Sequence, residues 1–324
     1  MKLKNILTYI FTVLIIAAII MSCNNNDDDV SITPPRDLTE VLLEDEEAMQ
    51  AYLETHFYNY EDFENPPADF DYKIVLDTIE GANADKIALI DQVTTKTVTI
   101  KDADDQEVDH NLYYLIAREG IGHNPHSADS VFVRYTGTSL TNVDFDHTVT
   151  PVWFDQIGNP YYGNSTGVVL GFKMFTPELK TGTYVGLDNG VPEYEDYGIG
   201  MVLMPSGLAY FNTALTGVAA YSPLIFRIDM LASVESDHDG DKIPSYYEDQ
   251  DGDAFFYNVD TDENGIADIY DVDDDGDGTL TKDEIEWTDL NGDGRISVDE
   301  INFLDYNNDG VPDYLDPDYP EAEE

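Results

Sequence analysis

Apolar and polar residues change their spacing several times along the chain, and each change marks a boundary. From Leu38 to His56, Val41, Leu42, Met49, Tyr52 and Leu53 recur at the three- and four-residue spacing of an amphipathic helix. "ENPPADFD" then breaks the pattern with paired prolines. Residues 72–104 alternate apolar and polar positions between turn signals, which predicts short strands or an irregular cap. From "NLYYLIAREG" to "LIFRIDMLAS" the period is two. Tyr113, Leu115 and Ala117 share one face, and "SVFVRYTGTSL" is rich in β-formers. Gly171 to Gly182 is the stretch in this region that reads as helix, shortened or restarted by Pro177 with Thr176 as the N-cap. A run of strands with one helix among them predicts an α+β domain, an antiparallel sheet packed on that helix.

Composition changes the picture beyond Val234. The chain of 324 residues is 42% hydrophobic, enough for a core, yet its formal net charge is −52. About half of the carboxylates lie after Val234, opposed there only by Lys242, Lys282 and Arg295. Such a field repels nucleic acid and anionic lipid and attracts divalent cations, so nucleic-acid binding is excluded.

Those carboxylates are in frame. Within "DVDDDGDGTLTKDEIEWTDLNGDGRISVDE", Asp273, Asp275, Asp277 and Glu284 occupy positions one, three, five and twelve of a calcium loop. Asp289, Asn291, Asp293 and Glu300 repeat them, and Thr279 and Arg295 stand at position seven, which ligates through its backbone carbonyl. The linker Ile285–Thr288 amounts to about one helical turn, too short for the helices of paired EF-hands. Asp237, Asp239, Asp241 and Glu248 form an earlier loop. Asp249, Asp251 and Asp253, then Asp260, Asp262 and Asn264, form two more. Asp305, Asn307, Asp309 and Asp316 form a last one. Starts at 237, 249, 260, 273, 289 and 305 give a repeat of 11 to 16 residues. The array resembles thrombospondin type 3 repeats with two loops of closer EF-hand type. That resemblance implies structural Ca2+, with ion coordination in place of a hydrophobic core.

The N-terminus "MKLKNILTYIFTVLIIAAIIMSC" carries Lys2 and Lys4 before an apolar run that ends at Cys23, the single cysteine. A transmembrane anchor is one reading. "IIMSC" also resembles the lipobox of bacterial lipoproteins, which implies cleavage before Cys23, its lipidation, and attachment to a membrane. The following "NNNDDD" is either a flexible spacer or similar to the surface-export signals of some lipoproteins.

In the strand-rich region "VFVRYTGTSLTNVDFD", "VVLGFKMFTPELKTG", "MPSGLAYF" and "SPLIFRIDML" follow one another in the order of the FKBP-type peptidyl-prolyl cis-trans isomerases, which the segment resembles. The resemblance implies an FKBP-like antiparallel sheet wrapped on a short helix. It also implies a pocket of Tyr135, Phe145, Asp146, Val168, Val169, Phe172, Tyr210 and Phe226, with Phe172 where the family usually has Trp. Phe154 is a further aromatic, with Val152 or Trp153 as alternatives for its place. Phe211 stands where the family has Gly, "NTALTGVAAY" lacks the family's I-P-P border, and a long insertion follows Gly182.

The expected organisation is a signal peptide (1–22), a lipidated Cys23 with linker (23–36), an N-terminal extension with a helix (37–104), an FKBP-like domain (105–233) and an acidic calcium-ordered loop array (234–324). The expected protein is an isomerase of X–Pro segments in exported polypeptides, needing no catalytic cofactor. It is placed in the cell envelope as an outer-membrane lipoprotein open to surface exposure. The alternative is a proline-segment binder with weak turnover, or a calcium-dependent surface interaction protein on the same scaffold.

Overall fold

A computed structural model describes residues 34–159 and 167–318. Cys23 and the segment before it lie outside the described residues. Among the described residues no helix is long and apolar enough to cross a membrane. The described residues from Asp37 onward form one compact unit.

The predicted helix is α1, Leu38–Thr55. It begins where the Asp37 carboxylate accepts the Glu40 N–H at 2.9 Å, occupying a donor that the first turn leaves unpaired. Its buried stripe is Val41, Asp45, Met49, Tyr52 and Leu53. Strand β1 (His56–Tyr58), the short helix α2 (Tyr60–Glu64) and β2 (Leu76–Thr78) follow, with β1 and β2 paired antiparallel.

The main sheet contains β3 (Thr94–Lys101), β4 (Glu107–Arg118), β5 (Ser130–Ser139), β6 (Asp144–Asp155), β9 (Gly198–Met204) and β10 (Leu224–Val234). All neighbours are antiparallel, in the order β3-β4-β9-β10-β5-β6. Strand β3 pairs with β4 from Thr94 to Lys101, so the sheet starts upstream of the expected boundary at residue 105. The insertion after Gly182 is a separate hairpin, β7 (Thr183–Asp188) with β8 (Val191–Glu195).

Every residue of β9 is buried, because helices cover both faces of the sheet. Val202 and Met204 join the cluster on α3 (Leu170–Phe175), around Phe172, Phe175 and Leu179. Ile199, Met201 and Leu203 face the other way, onto Met49 and Leu53 of α1. The N-terminal helix is therefore the second layer of the domain and not an extension beside it. Its Asp45 carboxylate accepts the Ser206 N–H at 2.7 Å and the Ser206 hydroxyl at 2.6 Å, tying α1 to the turn after β9. Helix α3 ends at Phe175 and a 3₁₀ turn, Thr176–Glu178, takes over around Pro177. Thr176 is the first residue of that turn rather than its cap, and its hydroxyl donates back to the Lys173 carbonyl at 3.1 Å.

After Val234 the chain runs through the acidic loops. Strands β11 (Ile285–Trp287) and β12 (Ile301–Phe303) leave the fourth and fifth loops and pair antiparallel, where an EF-hand would place helices. The array has apolar clusters of its own, unlike the coreless array expected. Ile243, Ile285 and Tyr314 form one, and Phe256, Ala267 and Ile269 form another with Ala128 and Ile157 of the sheet domain.

Candidate functional site

An aromatic cavity opens where β5, β6, β10, α3 and the turn after β9 converge. Tyr135 on β5 donates its hydroxyl to Asp146 Oδ2 on β6 at 2.6 Å. Burial and this hydrogen bond hold the Tyr135 hydroxyl well above its usual range, so it stays a donor. Phe226 on β10 is paired with Gly137 on β5. The missing side chain makes room for the rings, since a Cβ on Gly137 would lie 2.6 Å from Phe145 and 2.9 Å from Phe226. Phe172 closes the floor, edge-on to Phe226 at 5.6 Å and 6.1 Å from Phe154. Tyr210 forms the remaining wall, its hydroxyl pushed up by burial and by the Asp146 charge.

The cavity measures about 500 Å³. Eight of the nine residues carried over from the family line it: Tyr135, Asp146, Phe154, Val168, Val169, Phe172, Tyr210 and Phe226. Phe145 does not. Its ring stands behind the wall, edge-on to Phe226 at 5.7 Å and to Tyr210 at 6.4 Å. Of Val152, Trp153 and Phe154, the three candidates for one further position, Phe154 lines the cavity, while Trp153 stacks on Phe132 at 5.0 Å. Gly167, Leu170 and Ala209 line it too. Only their adjacency to named positions signalled them. Phe211, at the family's Gly position, keeps a left-handed backbone with φ of +45°. The turn is retained against a steric preference, and the ring packs on Tyr221 at 5.1 Å.

The acidic loops share one backbone conformation. In all six, the fourth residue (Gly240, Gly252, Glu263, Gly276, Gly292, Asn308) and the sixth (Lys242, Ala254, Gly265, Gly278, Gly294, Gly310) have positive φ. In all six, the third side chain also accepts the fifth N–H, and the fifth accepts the seventh. Asp277 accepts from Thr279 at 2.6 Å and Asp293 from Arg295 at 2.8 Å. The frame read from the acidic spacing is thus one repeated turn.

The loops differ in what their carboxylates face. Among the described residues, three groups of carboxylates bring oxygens within 4.8 Å of one another: Asp239, Asp241, Glu248 and Asp274; Asp249, Asp251 and Asp253; Asp273, Asp275 and Asp277. Glu284, buried beside the third, is pushed up to about 8 by burial and by Asp275. Asp237 stands outside the first group, its Oδ1 accepting the Gly240 N–H at 2.7 Å. Elsewhere the side chains bond mainly to backbone N–H groups of their own loop. Asn264 donates to Asp262, Asp260 accepts from Gly265, and Glu300 accepts from Leu290 and Asn291. Asp289 accepts from Gly292 and Gly294, Asp305 from Asp309 and Gly310, and Asn307 donates to Asp316.

With these geometries in hand, comparison with known proteins places part of the chain. It is related, at low identity and over part of its length, to FKBP-type peptidyl-prolyl cis-trans isomerases. FkpA of Escherichia coli, an FKBP-type peptidyl-prolyl cis-trans isomerase, is 26% identical over 120 residues, 37% of this chain and 37% of that protein. FkpA of Buchnera aphidicola is 28% identical over 120 residues, 37% of this chain and 41% of that protein. The chain thus spans well under two thirds of the relatives it matches. Among solved structures, a peptidyl-prolyl cis-trans isomerase from Pseudomonas syringae aligns at 21% identity, covering 43% of this chain and 84% of the other, with a TM-score of 0.30. FkpA from Escherichia coli aligns at 22% identity, covering 42% and 51%, with a TM-score of 0.29. The BamM C-terminal family matches residues 238–292, within the acidic array.

Proposed function

We propose that the chain is a peptidyl-prolyl cis-trans isomerase acting on X–Pro segments of exported polypeptides, anchored to the envelope through Cys23, with a calcium-ordered C-terminal module. The observation that carries the isomerase reading is the cavity. Rotation about a peptide bond meets a barrier of ~18–20 kcal/mol because it breaks amide resonance. The twisted transition state separates less charge than the planar amide, so an apolar aromatic enclosure favours it over the ground state. Phe172, Phe226 and Phe154 supply that apolar enclosure. Tyr210 offers a hydroxyl at the wall for the substrate carbonyl. Asp146, oriented by Tyr135, supplies fixed negative charge at the mouth. The chemistry requires no nucleophile, metal or general base.

The calcium reading rests on six loops with a common turn and on three clustered carboxylate groups. Calcium takes 6–8 oxygen ligands at about 2.3–2.6 Å, mostly carboxylates and carbonyls, which is what these loops present. A second reading, a proline-segment binder with little turnover, is favoured by the departure at Phe211, whose left-handed backbone and ring alter the cavity border.

The test is the cis/trans exchange rate of an X–Pro peptide, followed by NMR with the full chain and with Asp146→Asn and Phe226→Leu. Acceleration that both variants lose supports the enzyme. Peptide binding without acceleration moves the function to the binder, and neither result leaves no role for the cavity.

A further inference from the structure

The first acidic group draws its ligands from two repeats that are not neighbours. Asp239, Asp241 and Glu248 belong to the first loop, and Asp274 to the fourth. Asp274 sits at that loop's second position, which the calcium-loop frame leaves without a metal role. The fourth loop opens with a hydrogen-bonded turn, the Gly276 N–H donating to the Asp273 carbonyl at 3.2 Å. Asp273 and Asp275 gather with Asp277, while the Asp274 carboxylate joins the group of the first loop. Its backbone is fixed there, since the Asp274 N–H donates to the hydroxyl of the fully buried Thr281 at 3.1 Å.

Burial separates this group from an ordinary acidic surface. Asp241 and Glu248 are each 1% exposed and Asp274 is 2% exposed. Both carboxylate oxygens of Glu248 and both of Asp274 are buried without a hydrogen-bond partner, as is Oδ2 of Asp241. Like charges this close repel one another, and burial adds a desolvation cost for each. The ammonium of Lys242, next to Asp241 in the chain, lies over the Trp287 ring, 5.7 Å from its centre. All four ligand atoms lie within 4.8 Å of one another. Opposite oxygens across one calcium ion lie about 5 Å apart, given bonds of about 2.3–2.6 Å, so the cluster has the size of a single coordination sphere.

We infer that Asp274 completes a buried divalent-cation site with Asp239, Asp241 and Glu248, and that this one ion bridges the first and fourth repeats. The inference deepens the calcium reading above and rests on it. The fourth loop's odd-numbered carboxylates serve one ion and its even-numbered Asp274 another, so the consecutive acidic run Asp273–Asp275 has a mechanical use. The bridge turns a string of separate loops into a closed unit, which binds calcium and folds in one step.

Calcium titration calorimetry on the full chain, with thermal unfolding in calcium and in chelator, tests this. Asp274→Asn and Glu248→Gln are each expected to bind one calcium ion fewer per chain and to lower the melting temperature in calcium. In chelator both should be at least as stable as the native protein, because each removes an uncompensated buried charge. That second readout separates loss of a ligand from failure to fold. An unaltered count and affinity in Asp274→Asn, with calcium still binding to the other loops, overturns the bridging site alone. A native chain that binds no calcium overturns the site and the calcium reading together.

Discussion

The ammonium of Lys173 donates to the carbonyl of Ala254 at 2.6 Å. Lys173 is on α3, next to the cavity floor at Phe172. Ala254 is the sixth residue of the second acidic loop, held in the left-handed region at φ +63°. The Lys173 ammonium also lies 5.0 Å from the centre of the Phe256 ring. Burial pulls it down to about 8, against the opposing charges of Asp249 and Asp253. The cavity and the array are joined by this arm, and by the Tyr257 hydroxyl, which donates to the Ile157 carbonyl at 2.7 Å.

Calcium removal is expected to slow X–Pro exchange, because disorder in the Asp249–Asp253 loop releases the carbonyl that holds Lys173 and, through it, α3. Lys173→Met should lower stability by about 1.5–3 kcal/mol, the range for a hydrogen bond to a charged group. It should also make the exchange rate insensitive to calcium. A folded Lys173→Met protein with the native calcium response would show that this contact transmits nothing.

Tyr135→Phe keeps the ring and removes the hydroxyl that orients Asp146. The expected loss is about 1 kcal/mol of a hydrogen bond, or roughly five- to tenfold in exchange rate, with little change in melting temperature. An unchanged rate in NMR exchange experiments would mean that Asp146 needs no orientation.

His126 lies 3.5 Å from the buried Asp129 carboxylate and stacks on Tyr246 of the first acidic loop at 3.5 Å between ring centres. The Asp129 contact raises its pKa above the ordinary 6.5, with Glu235 adding to the effect. A raised folded-state value means that the protonated ring favours the folded protein. That contribution is fully present below pH 6.5 and is lost as pH rises through the raised value. Urea unfolding at a series of pH values should show the decline, and His126→Gln should flatten it. A slope that persists in the variant would assign it to another group.

Gly278 has φ of +100° and open space where a Cβ would be. Gly278→Ala should therefore cost about 1–2 kcal/mol from backbone conformation alone. Denaturation in saturating calcium measures it. A neutral result would mean that the fourth loop relaxes to another turn.

Much of this was legible before any tertiary information. The three- and four-residue spacing around Met49 and Leu53 gave α1, and the alternation of Tyr113, Leu115 and Ala117 gave β4, since those periods are properties of the elements themselves. The order of the four family segments brought together eight cavity-lining residues from distant strands. Phe145 was the exception. Its face depends on the register shifts between β5 and β6, which a local pattern does not contain. The acidic frame located the repeated turns because an Asp or Asn accepting an N–H two residues on is a local interaction.

What the chain order leaves open is which surfaces meet. Alternation along β9 cannot say that both faces are covered, because a run such as "GIGMVLM" is apolar throughout. Docking of α1 decided that, through Asp45 and Ser206. In the array, spacing passed over Asp274. Only the packing of the fourth loop against the first brings its carboxylate within 4.8 Å of Asp239, Asp241 and Glu248. Local turns and strands follow from interactions that span a few residues. The layers, the cavity wall and the clustered carboxylates depend on buried groups that find partners from far along the chain.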